Sequence, residues 1–226
     1  MPHDDWPLFE LRLVTEHLVL RMPGDADLPG LADLATEGIH DPASMPFDQE
    51  WTDQPSPQLE RGLYQWNWRI RGTLSPAAWV LGFMVERRDD GAVLGVQDLL
   101  ATDFPVRRTV ETSSWLGRSH QRQGYGTEMR SAVLALAFEG LGAEWAETSA
   151  WSDNVASIGV TRALGYRDDG VSVGTRRGRV ARQLRFRLSR SEWSVATRTE
   201  VTIDGLAGAQ RLLGLVEGDR GAPGAG

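Results

Sequence analysis

The chain contains no cysteine and no lysine. The first absence excludes disulfide scaffolds, thiolate zinc sites and cysteine nucleophiles; the second removes Schiff-base lysine chemistry and the phosphate-loop lysine together. All 24 basic residues are therefore arginine. Four histidines, His3, His17, His40 and His120, are scattered without ligand spacing, so no metal site is expected. No apolar run approaches the roughly 18 residues that a membrane span needs. The stretch from Met1 to Trp6 is acidic where a signal peptide is basic. The expectation is a cytoplasmic protein with no membrane partner.

What is present fits one globular domain with a full core and a tail: 226 residues, 41% hydrophobic and 24% charged. A formal net charge of −7 disfavours nonspecific nucleic-acid binding and suits a cationic or amine substrate, although acidity also serves solubility.

Along the chain, strand and helix signals alternate without a repeat period. Leu11 to Arg21 reads as a strand closed by Pro23 and Gly24, and Asp25 to Thr36 as a helix with Leu28, Leu31, Ala32 and Ala35 on one face. The Pro-, Asp- and aromatic-rich stretch Gly38 to Pro57 predicts an ordered loop that bears function or packs over a site. Ser56 is placed to cap a helix running to Gly72, whose periodicity puts Trp66 in the core. Trp79 to Glu86 and Ala92 to Leu100 flank Asp89-Asp90-Gly91, a hairpin signal. Val110 to Leu116 is a further strand after a polar turn at Pro105 to Arg108. Glu128 to Leu141 carries Met129, Ala132, Val133, Leu136 and Ala137 in one stripe, with Gly142 at the C-terminal cap. Trp145 to Ala150 predicts a buried strand, Ala156 to Leu164 a short helix and Gly178 to Leu188 a strand. The arginines between Arg176 and Arg187 alternate with apolar residues, which describes a solvated hairpin face better than an RNA-binding patch. Composition loosens after Trp193, dividing the chain into a domain over residues 1–195 and a C-terminal extension over 196–226, with Gly218 to Gly226 disordered.

The chemistry concentrates between the Val110 strand and the long helix. There Gln121-Arg122-Gln123-Gly124-Tyr125-Gly126-Thr127 forms a glycine-rich turn ending where the free N–H groups of a helix point outward. Such a turn binds phosphate without lysine, or it simply connects a strand to a helix; neither a Walker A loop nor a dinucleotide fingerprint is present.

The run from Trp115 to Glu128 resembles the acyl-CoA loop of the GCN5-related N-acetyltransferases (GNAT), Gln/Arg-x-x-Gly-x-Gly/Ala. Asn154-x-x-Ser157, then Val160 and Gly165-Tyr166, is similar to that family's later helix and its closing Gly-Phe/Tyr. Ser157 and the Trp115-Leu116 pair look most like the branch that acetylates ribosomal-protein N-termini. One position departs from the family: where many members carry a thiolate-protonating tyrosine, seven residues after the Asn, this chain has Thr161.

The resemblance implies an α/β (α+β) GNAT fold with a mixed, mostly antiparallel sheet, flanked by helices on both faces and splayed around an acyl-CoA. It further implies that backbone near Trp115, Leu116 and Arg118 pairs with pantetheine, that Gln121, Arg122, Gln123, Gly124, Tyr125, Gly126 and Thr127 hold the pyrophosphate, and that Asn154 and Ser157 contact the pantetheine arm or adenosine. Arg118 and Arg122 either reach phosphates or are solvated. The implied activity is transfer of an acetyl or other acyl group, succinyl included, from acyl-CoA to an amine, without metal. Glu111 leads as general base, being otherwise a surface carboxylate in a strand, and His40 follows, being otherwise structural. Trp51, Trp66 and Trp68 are candidates for an acceptor wall. A noncatalytic acyl-CoA-binding or sensory module with the same fold stays open, as does a homodimer through the C-terminal strands.

Overall fold

The computed structural model describes residues 5–193 and 199–216. In chain order they form β1 (Arg12–Val14), β2 (Leu18–Arg21), α1 (Leu28–Glu37), α2 (Gln58–Gly72), β3 (Ala78–Arg87), β4 (Val93–Thr102), α3 (Phe104–Arg107) and β5 (Thr109–Leu116). There follow α4 (Tyr125–Ala135), β6 (Trp145–Trp151), α5 (Val155–Ala163), β7 (Arg167–Arg176), β8 (Arg179–Ser189), β9 (Thr202–Asp204) and α6 (Leu206–Leu212). All nine strands join one sheet in the order β7-β8-β6-β5-β4-β3-β2-β1-β9, antiparallel throughout except for β5 beside β6.

The alternation of β3 and β4 sets their two faces. One face meets α4 in the main core around Phe83, Leu99, Val133 and Phe138. The other meets α1 and α2 in a smaller cluster of Leu28, Leu31, Leu59, Leu63 and Met84. Close approach of β4 to β5 needs Gly95, because a Cβ there would come within 2.1 Å of the Trp115 carbonyl oxygen. Arg21 ties β2 to β3 and to the turn before α1, its guanidinium bidentate to Asp27 (2.8 and 2.8 Å) and to Glu86 (2.9 and 2.8 Å).

Several expectations change. The Leu11 to Arg21 strand is two strands, because Thr15 accepts the Leu18 N–H on its hydroxyl and turns the chain back on itself. The turn at Pro105 to Arg108 is the short helix α3. Ser56 bonds the Glu60 carboxylate and does not cap α2. Trp66 is not core: it is 36% exposed with Arg69 stacked on its ring. Helix α4 starts three residues earlier than the apolar stripe, at the glycine-rich turn, and widens to i→i+5 bonding over Leu136–Gly140. Strand β7 carries almost no buried residue and so left no hydrophobic signal.

Gly218 to Gly226 lies outside the described residues. Before it, β9 pairs with β1, and α6 sets Ala209 against the main core, with Leu213 fully buried just beyond it. Leu213→Ala should therefore cost about 2–4 kcal/mol, as for other deeply buried leucines, read as a lower denaturant midpoint; a change under about 0.5 kcal/mol would show that this segment is an appendage.

Candidate active site

Strands β5 and β6 pair only at Thr109↔Trp145, Val110↔Ala146 and Glu111↔Glu147. Beyond Glu111, β5 continues against β4 as far as Leu116↔Gly95, while β6 stays with β8. The edge of β5 facing β6 thus loses its ladder partner over residues 112–116, apart from a Thr148 hydroxyl on the Thr112 carbonyl at 3.1 Å. An open cleft of about 1370 Å³ occupies the gap. A bare strand edge inside a cleft accepts an extended ligand with amide groups.

One wall is built from two helix N-termini. Gly124 stands before α4 with φ +91, a conformation that suits glycine, and Arg122 adopts φ +59. By helix geometry the N–H groups of Tyr125 and Gly126 at the start of α4 have no intrahelical acceptor, whereas those of Thr127 and Glu128 reach the Gly124 carbonyl. The Gln121 carboxamide anchors this loop by donating to the carbonyls of Ile39 (2.6 Å) and Leu116 (2.8 Å). Asn154 caps α5, its side chain accepting the Ser157 N–H at 3.1 Å.

The opposite wall carries Glu111, Ser113 and Trp115 from one face of β5; the Gly38 to Pro57 loop packs over Trp115, while Glu111 and Ser113 stay exposed. Phe47, Trp51 and Trp115 stack in series at 5.3 and 6.1 Å. The loop is strapped to the β7–β8 hairpin and to the end of β6: Arg177 forks onto Asp53 and Gln183 donates to Asp48 at 2.7 Å, while Trp151 of β6 donates to the Phe47 carbonyl. This is the ordered, site-covering loop that its composition predicts.

Of the predicted residues, Glu111, His40, Trp115, Leu116, Arg118, Gln121, Arg122, Gly124, Gly126, Thr127, Asn154 and Ser157 all line this one cleft. Gln123 and Tyr125 do not: the Gln123 carboxamide turns back onto the Ser119 carbonyl, and the Tyr125 ring packs against the main core. Trp66 and Trp68 also stand away from it, Trp68 being 52% exposed and bonded to Asp25. Glu111 has no hydrogen-bond or ion-pair partner among the described residues, whereas Glu147 beside it holds Arg187. Both ring nitrogens of His40 are engaged, Nδ1 donating to the Asp41 carbonyl (2.9 Å) and Nε2 accepting from Thr52 (2.7 Å).

Two charged residues escaped the sequence reading. Arg130, 4% exposed and lining the cleft, donates to Thr161 (2.9 Å) and Ser114 (3.3 Å), finds no carboxylate among the described residues, and is lowered in pKa by burial. Asp98 on β4, 9% exposed, accepts only the Ser113 hydroxyl, at 2.9 Å, and burial raises its carboxyl to about 6. The signal for each was a charge inside an apolar stripe, at Met129-Arg130-Ser131-Ala132 and Gln97-Asp98-Leu99-Leu100.

Comparison with known proteins agrees with this geometry. The family profile described as an acetyltransferase (GNAT) domain matches residues 17–167, two thirds of the chain. A GCN5-related N-acetyltransferase from Brucella melitensis superposes with TM-score 0.65 at 21% identity, over 80% of each chain. A protein from Vibrio cholerae assigned as a ribosomal-protein-serine acetyltransferase superposes with TM-score 0.62 at 19% identity, over 79% of this chain and 97% of that one. A spermidine N-acetyltransferase chimera of Vibrio cholerae SpeG and hSSAT gives TM-score 0.61 at 19% identity, covering 78% and 97%. The mixed, mostly antiparallel sheet flanked by helices is the fold that these proteins share. The chain belongs to the GNAT acetyltransferase family.

The raised carboxyl of Asp98 has a consequence for stability. A folded pKa of about 6 against an ordinary 3.8 means that the neutral acid is favoured by folding. Its stabilising effect is complete below pH 3.8 and is lost as pH rises through 6. Asp98→Asn should therefore be more stable than the parent by about 1–3 kcal/mol at pH 8. In thermal melts the gain should vanish near pH 4; a mutant less stable at pH 8 contradicts this account.

Proposed function

We propose that this GNAT-family chain is a working N-acyltransferase, moving an acetyl group from acetyl-CoA to an amine by direct attack in a ternary complex. The observation that carries the reading is the unpaired edge of β5 lying between two different walls: helix N-termini suited to phosphate on one side, and on the other an exposed, unpartnered Glu111 on the strand face whose Trp115 packs under the aromatic loop. A module that only bound acyl-CoA would need the first wall and not the second.

In this reading the backbone of the Gln121 to Thr127 turn and the α4 N-terminus hold the pyrophosphate, Arg118 and Arg122 reach toward phosphates, and backbone at Trp115 and Leu116 pairs with the pantetheine amides; the Arg118 backbone, expected to join them, instead donates its N–H to the Gly38 carbonyl and accepts the Gln121 N–H. Asn154 and Ser157 border the same arm. Backbone N–H groups of β5 stabilise the oxyanion. The residue at the tyrosine position, Thr161, donates to the Ser157 carbonyl and accepts from Arg130, so it has no proton for a thiolate. A thiol pKa near 8.5 lets the thiolate leave and take its proton from water. Glu111 is favoured over His40 as base because its carboxylate is free while both imidazole nitrogens are occupied. A net charge of −7 favours a cationic acceptor, a polyamine, aminoglycoside or peptide N-terminus.

One observation favours a second donor. Arg130 is a buried guanidinium at the cleft with no carboxylate partner among the described residues, which suits the free carboxylate of succinyl-CoA. If so, Arg130→Gln should raise KM for succinyl-CoA at least tenfold more than KM for acetyl-CoA; equal effects on both donors, as expected if Arg130 serves only to brace β5 against α5, would return the reading to acetyl-CoA.

The central test measures CoA release over a panel of amines. Binding of acyl-CoA without release, across the panel, would establish the noncatalytic module. With a productive amine, Glu111→Gln should lower kcat by roughly 10²-fold at pH 7 with acyl-CoA affinity unchanged. That deficit should shrink as pH rises, because more of the acceptor arrives already neutral. A near-parental kcat at pH 7 would eliminate Glu111 and move the role to His40.

A further inference from the structure

Acylation of an ammonium removes two protons from one nitrogen: the first before attack, to free the lone pair, and the second after it, from the tetrahedral adduct. A single carboxylate at the apex of the cleft, Glu111, accounts for the first. Along β5, the residue two beyond Glu111 on the same face is Ser113, about 7 Å along the strand and past the point where β5 and β6 part. It is the second residue past the last β5–β6 pair and lines the cleft. Its hydroxyl donates to Oδ2 of Asp98, directly opposite in the β4–β5 register, at 2.9 Å.

The setting of Asp98 is not that of a structural carboxylate. Its Oδ1 is buried with no protein partner among the described residues. A Cβ on Gly82 would lie 3.2 Å from that oxygen and 2.9 Å from the Ile70 side chain, so the carboxyl has room only because β3 places a glycine there. In the surrounding face the neighbours are Gly82, Met84, Glu111 and Trp115 from the strands and Ile70 from α2. Glu111 is the titratable group among them, with His40 lining the same cleft from the loop. No cation neutralises Asp98, and burial alone keeps its carboxyl near 6, where it can accept a proton at neutral pH.

Resting on the acyl-transfer reading, we propose that Ser113 and Asp98 form a proton relay that takes the second proton, Ser113 being the catalytic residue and Asp98 the residue that positions and polarises it. Glu111 takes the first proton from the ammonium and releases it to water. The amine lone pair then forms the C–N bond to the thioester carbon. As the adduct collapses, its N–H proton passes to Ser113 Oγ while the Ser113 hydroxyl proton passes to Asp98 Oδ2. The C–S bond breaks with its electron pair on sulfur, and the thiolate is protonated by water. Asp98 returns its proton through Ser113 to water when product leaves, which restores both groups.

The two carboxylates are separated by pH. At pH 9, where the Glu111→Gln deficit has shrunk, Ser113→Ala should still lose at least tenfold in kcat with an unchanged acyl-CoA dissociation constant. Asp98→Asn should show the same loss while melting no lower than the parent. The double variant should lose no more than either single one, since one relay is broken once. Ser113→Thr, which keeps the hydroxyl, should recover most of the rate. A parental enzyme that turns over while Ser113→Ala keeps full kcat at pH 9, or a double variant whose losses add, overturns the relay and leaves the acyl-transfer reading standing. Parental protein that binds acyl-CoA and releases no CoA with any amine overturns both.

Discussion

The structure depends on one broken ladder, the parting of β5 from β6 after Glu111. A parallel pair carried to its full length would seal the sheet and leave no cleft. Each strand instead keeps its other neighbour, β5 with β4 and β6 with β8, so separation costs hydrogen bonds on one edge only. What keeps the edges apart is side-chain matter on both faces. Arg130 reaches from α4 to Ser114 on β5 and Thr161 on α5, and the aromatic loop strapped to the β7–β8 hairpin covers the other face.

The cleft and the layer directly behind it also hold most of the destabilising electrostatics identified in the core. Asp98 and Arg130 are buried on opposite faces of the sheet and neither meets an opposite charge among the described residues. Isolated buried charge is costly, and elsewhere the protein avoids it: Arg21, half-buried, is clasped by two carboxylates. Arg130 lines the cleft and Asp98 lies behind Ser113, which also lines it; uncompensated charge gathered about one cleft is the pattern expected of a functional site.

Much of this was legible in the sequence, for definable reasons. The glycine-rich turn at Gln121 to Thr127 followed by a strong apolar stripe marked the α4 N-terminus, and Asn154-x-x-Ser157 marked the α5 cap, because both are local backbone problems with few solutions. The hairpin at Asp89-Asp90-Gly91 was equally local. Strand β7 was not legible, since an edge strand wet on both faces has no hydrophobic period. Trp66 was misread because periodicity identifies a helical face without identifying what covers it. Asp98 and Arg130 could be found only by asking why a charge interrupts an apolar run, and their partners, Ser113 and Thr161, lie on other elements, 15 and 31 residues away.

The arginines of the cleft divide by what they meet, and the division gives it a direction. Toward the β7–β8 hairpin, Arg176 pairs with Asp153, Arg177 with Asp53 and Arg187 with Glu147, while Glu111 adds an unpaired negative charge. At the α4 turn, Arg118 and Arg122 have no carboxylate partner among the described residues, and the helix N-terminus adds to their field. Arg107 near the closed end of the V and Arg185 on β8, which donates to the Asp169 carbonyl, are the exceptions. In the absence of lysine, rigid guanidinium forks do both jobs: paired, they fasten the acceptor loop to the hairpin, and unpaired, they draw phosphates. A donor carrying phosphates and a cationic acceptor would thus be drawn to opposite ends of one slot. Direct attack requires that arrangement, since the two reactants must meet at the parting of β5 and β6 without either displacing the other.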